Sequence, residues 1–154
     1  MPILNLGVID LPYTAPPQRG GKRRKSPQTR NITTGDVAEI LEAKYHVMEL
    51  FWQLHQGDVA ADFEESLSGA METFFMGGPA NLDVFGMATS KIEDRFKQML
   101  AMKELDALGY PGIPTRAAML GHSHRFKHPY KRRAPRPSFV DTGQYQASFK
   151  AWVE

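Results

Sequence analysis

Cysteine is absent from all 154 residues. Disulfides, thiol nucleophiles and most structural zinc sites are excluded together, and no redox compartment is required. No stretch of about eighteen consecutive apolar residues occurs, so no segment reads as a membrane-spanning helix and no membrane partner is expected. The apolar start, Met1 to Tyr13, lacks a basic leader and carries Asp10 and Pro12, which argues against a secretory signal and for synthesis in the cytoplasm. Also missing are a glycine-rich phosphate loop after a strand, a Walker pattern and a Gly-x-Ser-x-Gly elbow. No repeat of solenoid length is present. With 42% hydrophobic and 23% charged residues, the chain is long enough for one domain with a real core.

Charge is unevenly spread. Residues 1–32 hold six Lys/Arg against one Asp (+5), residues 33–108 five against fourteen Asp/Glu (−9), and residues 109–154 eight against two (+6). An acidic middle between basic ends points to partners, either nucleic acid or the acidic helices of the same or a neighbouring subunit.

The segment from Ile3 to Leu11 has the alternation of a short strand or an extended arm, ended by Pro12. Thr14 to Arg30, with its prolines, glycines and the run Lys22-Arg23-Arg24-Lys25, reads as a flexible basic arm. Asp36 with Glu39 is a candidate helix start, followed by Val37, Ile40, Leu41, Tyr45, Met48, Phe51, Trp52 and His55 at helical spacing up to Gly57. Asp58 then opens a second stripe of Val59, Phe63, Leu67, Ala70, Met71, Phe74 and Phe75, unless Gly57 merely kinks one long helix. Gly77-Gly78-Pro79 is a stop, before a short apolar patch from Leu82 to Phe85. Ser90 and Glu93 form a capping-box pattern for a third helix with Ile92, Phe96, Met99, Leu100, Leu105 and Leu108, closed by Gly109.

After the rigid connector Pro111-Gly112-Ile113-Pro114, Thr115 caps a short helix through Leu120, with Gly121 behind it. His122 to Pro137 reads as a basic loop. Asp141-Thr142-Gly143 then starts a closing helix with Tyr145, Phe149 and Trp152 on one face. The expected fold is mainly α or α+β: three main amphipathic helices, a short terminal helix and at most a small sheet. The expected division is an extended N-terminal arm with basic linker at 1–32, a helical core at 33–121, and a basic loop with C-terminal helix at 122–154 that packs on the core or a neighbouring subunit.

Candidate chemistry is sparse. Asp141-Thr142-Gly143 invites an aspartic-protease reading, in which two carboxylates share a proton across a dimer. That enzyme needs a barrel and flap after the motif, where eleven residues are present, and Gln144 replaces its usual small residue. Helix capping is the simpler role. His122, His124 and His128 could ligate a metal, but they stand among five basic residues with no nearby Asp or Glu, so a pH-responsive contact surface is expected and no metal. Glu64, Glu65 and Glu72 read as a solvated face rather than acid-base groups. The basic residues Lys22, Arg23, Arg24 and Lys25, and Arg125, Lys127, Lys131, Arg132, Arg133 and Arg136 with interleaved Phe126 and Tyr130, suit phosphate neutralisation and base stacking, or a protein interface.

The segment Asp141-Thr142-Gly143-Gln144-Tyr145-Gln146-Ala147-Ser148-Phe149 resembles the D-T-G-x-(aromatic or Leu)-x-x-S-(aromatic or Ile) stretch near the C-terminus of tailed-phage virion morphogenesis proteins, the head-tail joining (neck) and tail-completion group. The likeness rests on Asp141, Thr142, Gly143, Tyr145, Ser148 and Phe149. It implies a non-enzymatic structural protein without a cofactor, made in the host cytoplasm and resident in the virion. Its implied partners are copies of itself in a ring, adjacent neck, portal-side or tail proteins, and the DNA passing through the lumen. The alternative is a small nucleic-acid-binding accessory protein using the basic arm and loop.

Overall fold

A computed structural model describes residues 2–12, 32–79, 83–121 and 134–154. Eight elements follow in order: β1 (Leu4–Val8), α1 (Thr34–Tyr45), α2 (Val47–Phe75), α3 (Gly86–Ala101), α4 (Glu104–Ala107), α5 (Arg116–Leu120), α6 (Gln144–Ser148) and β2 (Phe149–Val153). The fold is mainly helical with three long helices and a small two-stranded sheet, the class expected from the sequence.

The sheet joins the two extremes of the described chain. β1 pairs antiparallel with β2 in the register Leu4↔Val153, Leu6↔Ala151 and Val8↔Phe149. The segment read as strand or arm is therefore a strand of its own fold. The closing helix expected from Asp141 to Trp152 is corrected: α6 stops at Ser148 and Phe149 turns extended, at ψ 136°. Phe-Lys-Ala-Trp-Val carries both a helical and an alternating pattern, and the unpaired β1 backbone selects the alternating one. In this arrangement Phe149 and Ala151 are buried, while Lys150 and Trp152 face outward. The Trp152 ring lies over Gly7, where a Cβ would meet it at 3.0 Å.

The helix boundaries also move. α1 begins after Thr33, not at Asp36: the Thr33 hydroxyl accepts from the Asp36 N–H and the Asp36 carboxylate from the Thr33 N–H, a capping box. Tertiary bonds draw the start forward. Buried Thr34 donates its hydroxyl to the Ile9 carbonyl (2.6 Å) and accepts from the Leu11 N–H (2.8 Å), clasping the exit of β1. Asp10 accepts from the Gly35 N–H at 3.0 Å. Its carboxyl is held below the ordinary 3.8 by hydrogen bonds from Thr33 and from the Gly35 backbone.

Because that folded value is lowered, the contribution of Asp10 is present above its unfolded value and disappears as the pH falls through the folded one. Asp10→Asn is expected to lower the melting temperature at pH 7. The deficit should close under acid, below about pH 4, and thermal melts across pH 3–7 check it.

Helix α1 ends at His46, whose backbone is left-handed (φ 52°), rather than at Gly57. The Glu42 carboxylate then accepts from the N–H groups of Met48 (2.8 Å) and Glu49 (3.2 Å), capping α2 from the preceding helix. Gly57 lies inside α2 without a break, since Phe51 and Val59 on either side bury in the same core and hold one helical phase. α3 starts after Phe85, earlier than the expected Ser90. The Ser90 hydroxyl donates back to the Gly86 carbonyl instead of capping. Ser66 on α2 fixes that turn by donating to the Val84 carbonyl at 2.6 Å. α3 also ends earlier, at Ala101 with Met102 as its C-cap, and left-handed Lys103 (φ 61°) sets off α4 as a separate turn before Gly109. α5 is capped by Thr115 and ended by left-handed Gly121, as the sequence indicates.

The core lies where α2, α3 and the C-terminal segment meet. Phe96 stacks on Phe149 with ring centroids 3.8 Å apart and planes 10° from parallel. Phe51 meets both edge-on, at 5.3 and 6.0 Å, and Tyr145 closes the cluster against Phe96 at 6.1 Å.

Candidate assembly surface

Helix α2 carries six carboxylates (Glu49, Asp58, Asp62, Glu64, Glu65 and Glu72) and no Lys or Arg. α3 supplies cations to three of them. Arg95 reaches Asp62 at 2.7 Å and Asp58 at 3.3 Å, and Lys91 reaches Glu65 at 2.6 Å and Asp62 at 3.7 Å. The Glu65 partner raises the Lys91 ammonium above its ordinary value. Glu93 holds Lys150 of β2 at 2.8 Å. Glu65 thus joins an ion pair while staying on the solvated face expected for it. Glu64 and Glu72 are exposed, without a side-chain partner among the described residues. The i, i+4 pairs Asp58/Asp62 and Lys91/Arg95 were visible in the sequence, but only the antiparallel packing of α2 on α3 aligns them.

The inner stretch of α2 buries Phe51, Val59, Asp62 and Ser66. From Leu67 onward none of its side chains is buried, and Leu67, Met71, Phe74 (62% exposed), Phe75 (76%) and the following Met76 (77%) stand in solvent. A groove of about 360 Å³ runs along the middle of α2 as far as Leu67, lined by Trp52, Val59, Phe63, Leu67, Phe85 and Val153 among others. These large apolar side chains are gathered at one end of one helix rather than scattered singly over the surface.

A second concavity, of about 460 Å³, lies between α1, α5 and the turn before α6. Lys44, Tyr45, Arg116, Phe139, Asp141, Thr142 and Gly143 line it. Arg136 binds here too: one Nη donates to the Val140 carbonyl and the other lies 3.4 Å from the Asp141 carboxylate. Left-handed Gly143 is the N-cap of α6, and Thr142 of the same motif supplies the expected bond, its hydroxyl accepting from the Gln144 N–H in the first turn at 3.4 Å. A carboxylate facing a guanidinium is the opposite of two carboxylates sharing a proton. The other three motif residues, Tyr145, Ser148 and Phe149, are buried in the chain's own core and present no assembly surface. Phe149 also belongs to a strand.

The expected contact residues Lys22, Arg23, Arg24, Lys25, Arg125, Phe126, Lys127, Tyr130, Lys131, Arg132 and Arg133 lie outside the described residues, as do His122, His124 and His128. Among the described residues, Glu42, His46 and Glu49 are the one group close enough to share a metal ion. Both Glu42 oxygens already accept the N–H groups that open α2, so the group reads as a cap. No helix among the described residues is long and apolar enough to cross a membrane. Comparison with protein-family models, curated proteins and solved structures gave no match.

Proposed function

We propose that this chain is a non-enzymatic structural protein of a tailed-phage virion, a neck, head-tail connector or tail-completion subunit that works in a ring. The observation carrying the assembly reading is the last turns of α2, where Leu67, Met71, Phe74 and Phe75 stand exposed with nothing to bury against among the described residues. The virion reading rests on the Asp141–Phe149 segment and its likeness to the head-tail joining group. Its buried half locks the core while its Asp-Thr-Gly half lies at the surface. Weak contacts repeated by symmetry would give the joint its strength. Neighbouring virion proteins above and below the ring are the proposed further partners, with DNA in the lumen facing the basic segments.

Sedimentation and negative-stain imaging of the purified protein test this. Closed rings are the expected result. A protein that stays monomeric at high concentration overturns the proposal. If that monomer binds DNA with steep salt dependence, a nucleic-acid-binding accessory role takes its place.

A further inference from the structure

Helix α2 carries a second stripe, apart from the face that buries Phe51, Val59, Asp62 and Ser66 in the fold. Gln56, Ala60, Phe63, Leu67, Ala70 and Phe74 follow one another at alternating spacings of four and three, the a and d positions of a heptad repeat. None of them is charged. Asp58, Glu65 and Glu72 recur on the opposite side, at the f positions, where α3 already pairs with the first two. Within these turns only Glu64 borders the stripe. The stripe is also open: Ala60, Leu67 and Phe74 are exposed, and Phe63 and Ala70 are half-buried. Phe63 meets Phe85 edge-on at 5.3 Å, and the apolar groove runs beside Ala60, Phe63 and Leu67.

An a/d seam is a surface shaped for another helix, since each knob needs a hole made by four side chains of a facing helix with the same repeat. We propose that this seam packs on the same seam of a second copy, antiparallel across a twofold axis. Among the described helices α2 carries such a repeat in the open; in α3 the residues so spaced, Ile92, Phe96 and Met99, are buried in the core.

Residue size sets the orientation. A parallel pair would stack Phe74 on Phe74 and each of Ala60 and Ala70 on itself, crowding one layer and leaving voids in the next. With the axis between Leu67 and Ala70, an antiparallel pair sets Leu67 against Ala70 of the second copy. Phe74 then enters the groove beside Phe63 of the second copy, and Glu64 borders Met71 rather than a carboxylate. The facing stretch, Phe63 to Phe74, spans about 17 Å. Leu67, Met71 and Phe74, each about half exposed, supply on the order of 300 Å² per copy before the groove walls are added. That is a small interface, so the pairing is reversible and rises with concentration. The contact is isologous and closes on two chains. A ring needs a further, unlike contact, so seam and ring are separable.

Sedimentation of the purified protein is expected to show dimers that build up with concentration, either free or within larger assemblies. Phe74→Asp, at an exposed position, should weaken the pairing at least 100-fold with native circular dichroism; Phe74→Ser replaces it if the aspartate disturbs α2. Because the chain has no cysteine, one introduced thiol reports the orientation. Ala70→Cys, next to the axis, should couple to its own copy through a short thiol cross-linker. Ala60→Cys should not, as its two copies stand about 25 Å apart along the pair. Ala60→Cys that couples as readily as Ala70→Cys, or association unchanged in both Phe74 variants, overturns the seam and leaves the ring reading standing. Dimers that never form rings support the seam and remove the ring reading, and a wild type that stays monomeric at high concentration overturns both.

Discussion

Phe149→Ala is expected to destabilise the fold by about 3–5 kcal/mol, measured as a fall in the denaturant midpoint. Phe149 is fully buried, stacked on Phe96 at 3.8 Å and met edge-on by Phe51 at 6.0 Å. Removing the ring leaves a cavity between α2 and α3, and two aromatic partners, Phe96 and Phe51, lose contact at once. Phe149 also stands opposite Val8 in the register, so the loss reaches β1. A Phe149→Leu variant should recover much of the loss because it keeps volume at the site. If Phe149→Ala costs under about 1 kcal/mol, the C-terminal motif is not the core element described above.

Arg95→Met is expected to cost about 3 kcal/mol. Asp62 is buried, and its carboxylate depends on the 2.7 Å contact with Arg95. Lys91 remains near Asp62 at 3.7 Å, which holds the expected cost to the lower end of the range for a broken buried pair. Replacing both partners with apolar residues, Asp62→Leu with Arg95→Met, should restore stability close to the wild type, since no uncompensated charge is left behind. A double-mutant cycle read by chemical denaturation separates the coupling from the packing. Additive single-mutant effects would mean that the pair is not coupled.

The ion-pair network accounts for only part of the acidic surplus of α2. α3 pairs with Asp58, Asp62 and Glu65 from within, while Glu64 and Glu72 stay exposed without a side-chain partner among the described residues. The −9 of residues 33–108 is therefore only partly paired within the described fold, and the sequence alone did not divide the paired carboxylates from the unpaired ones.

Local chemistry wrote several features directly into the sequence. The helical class followed from long apolar stripes at helical spacing, the α5 cap from Thr115 and Gly121, and the end of α2 from Gly77-Gly78-Pro79. These need only neighbouring residues, so a linear reading reaches them. The remaining decisions required contacts distant in sequence. Thr34 draws α1 forward by bonding Ile9 and Leu11, and Glu42 caps α2 across the break at His46. Phe149–Val153 satisfies two periodicities within five residues. Only the free backbone of Leu4–Val8, at the other end of the chain, makes it a strand and turns Phe149 into the core.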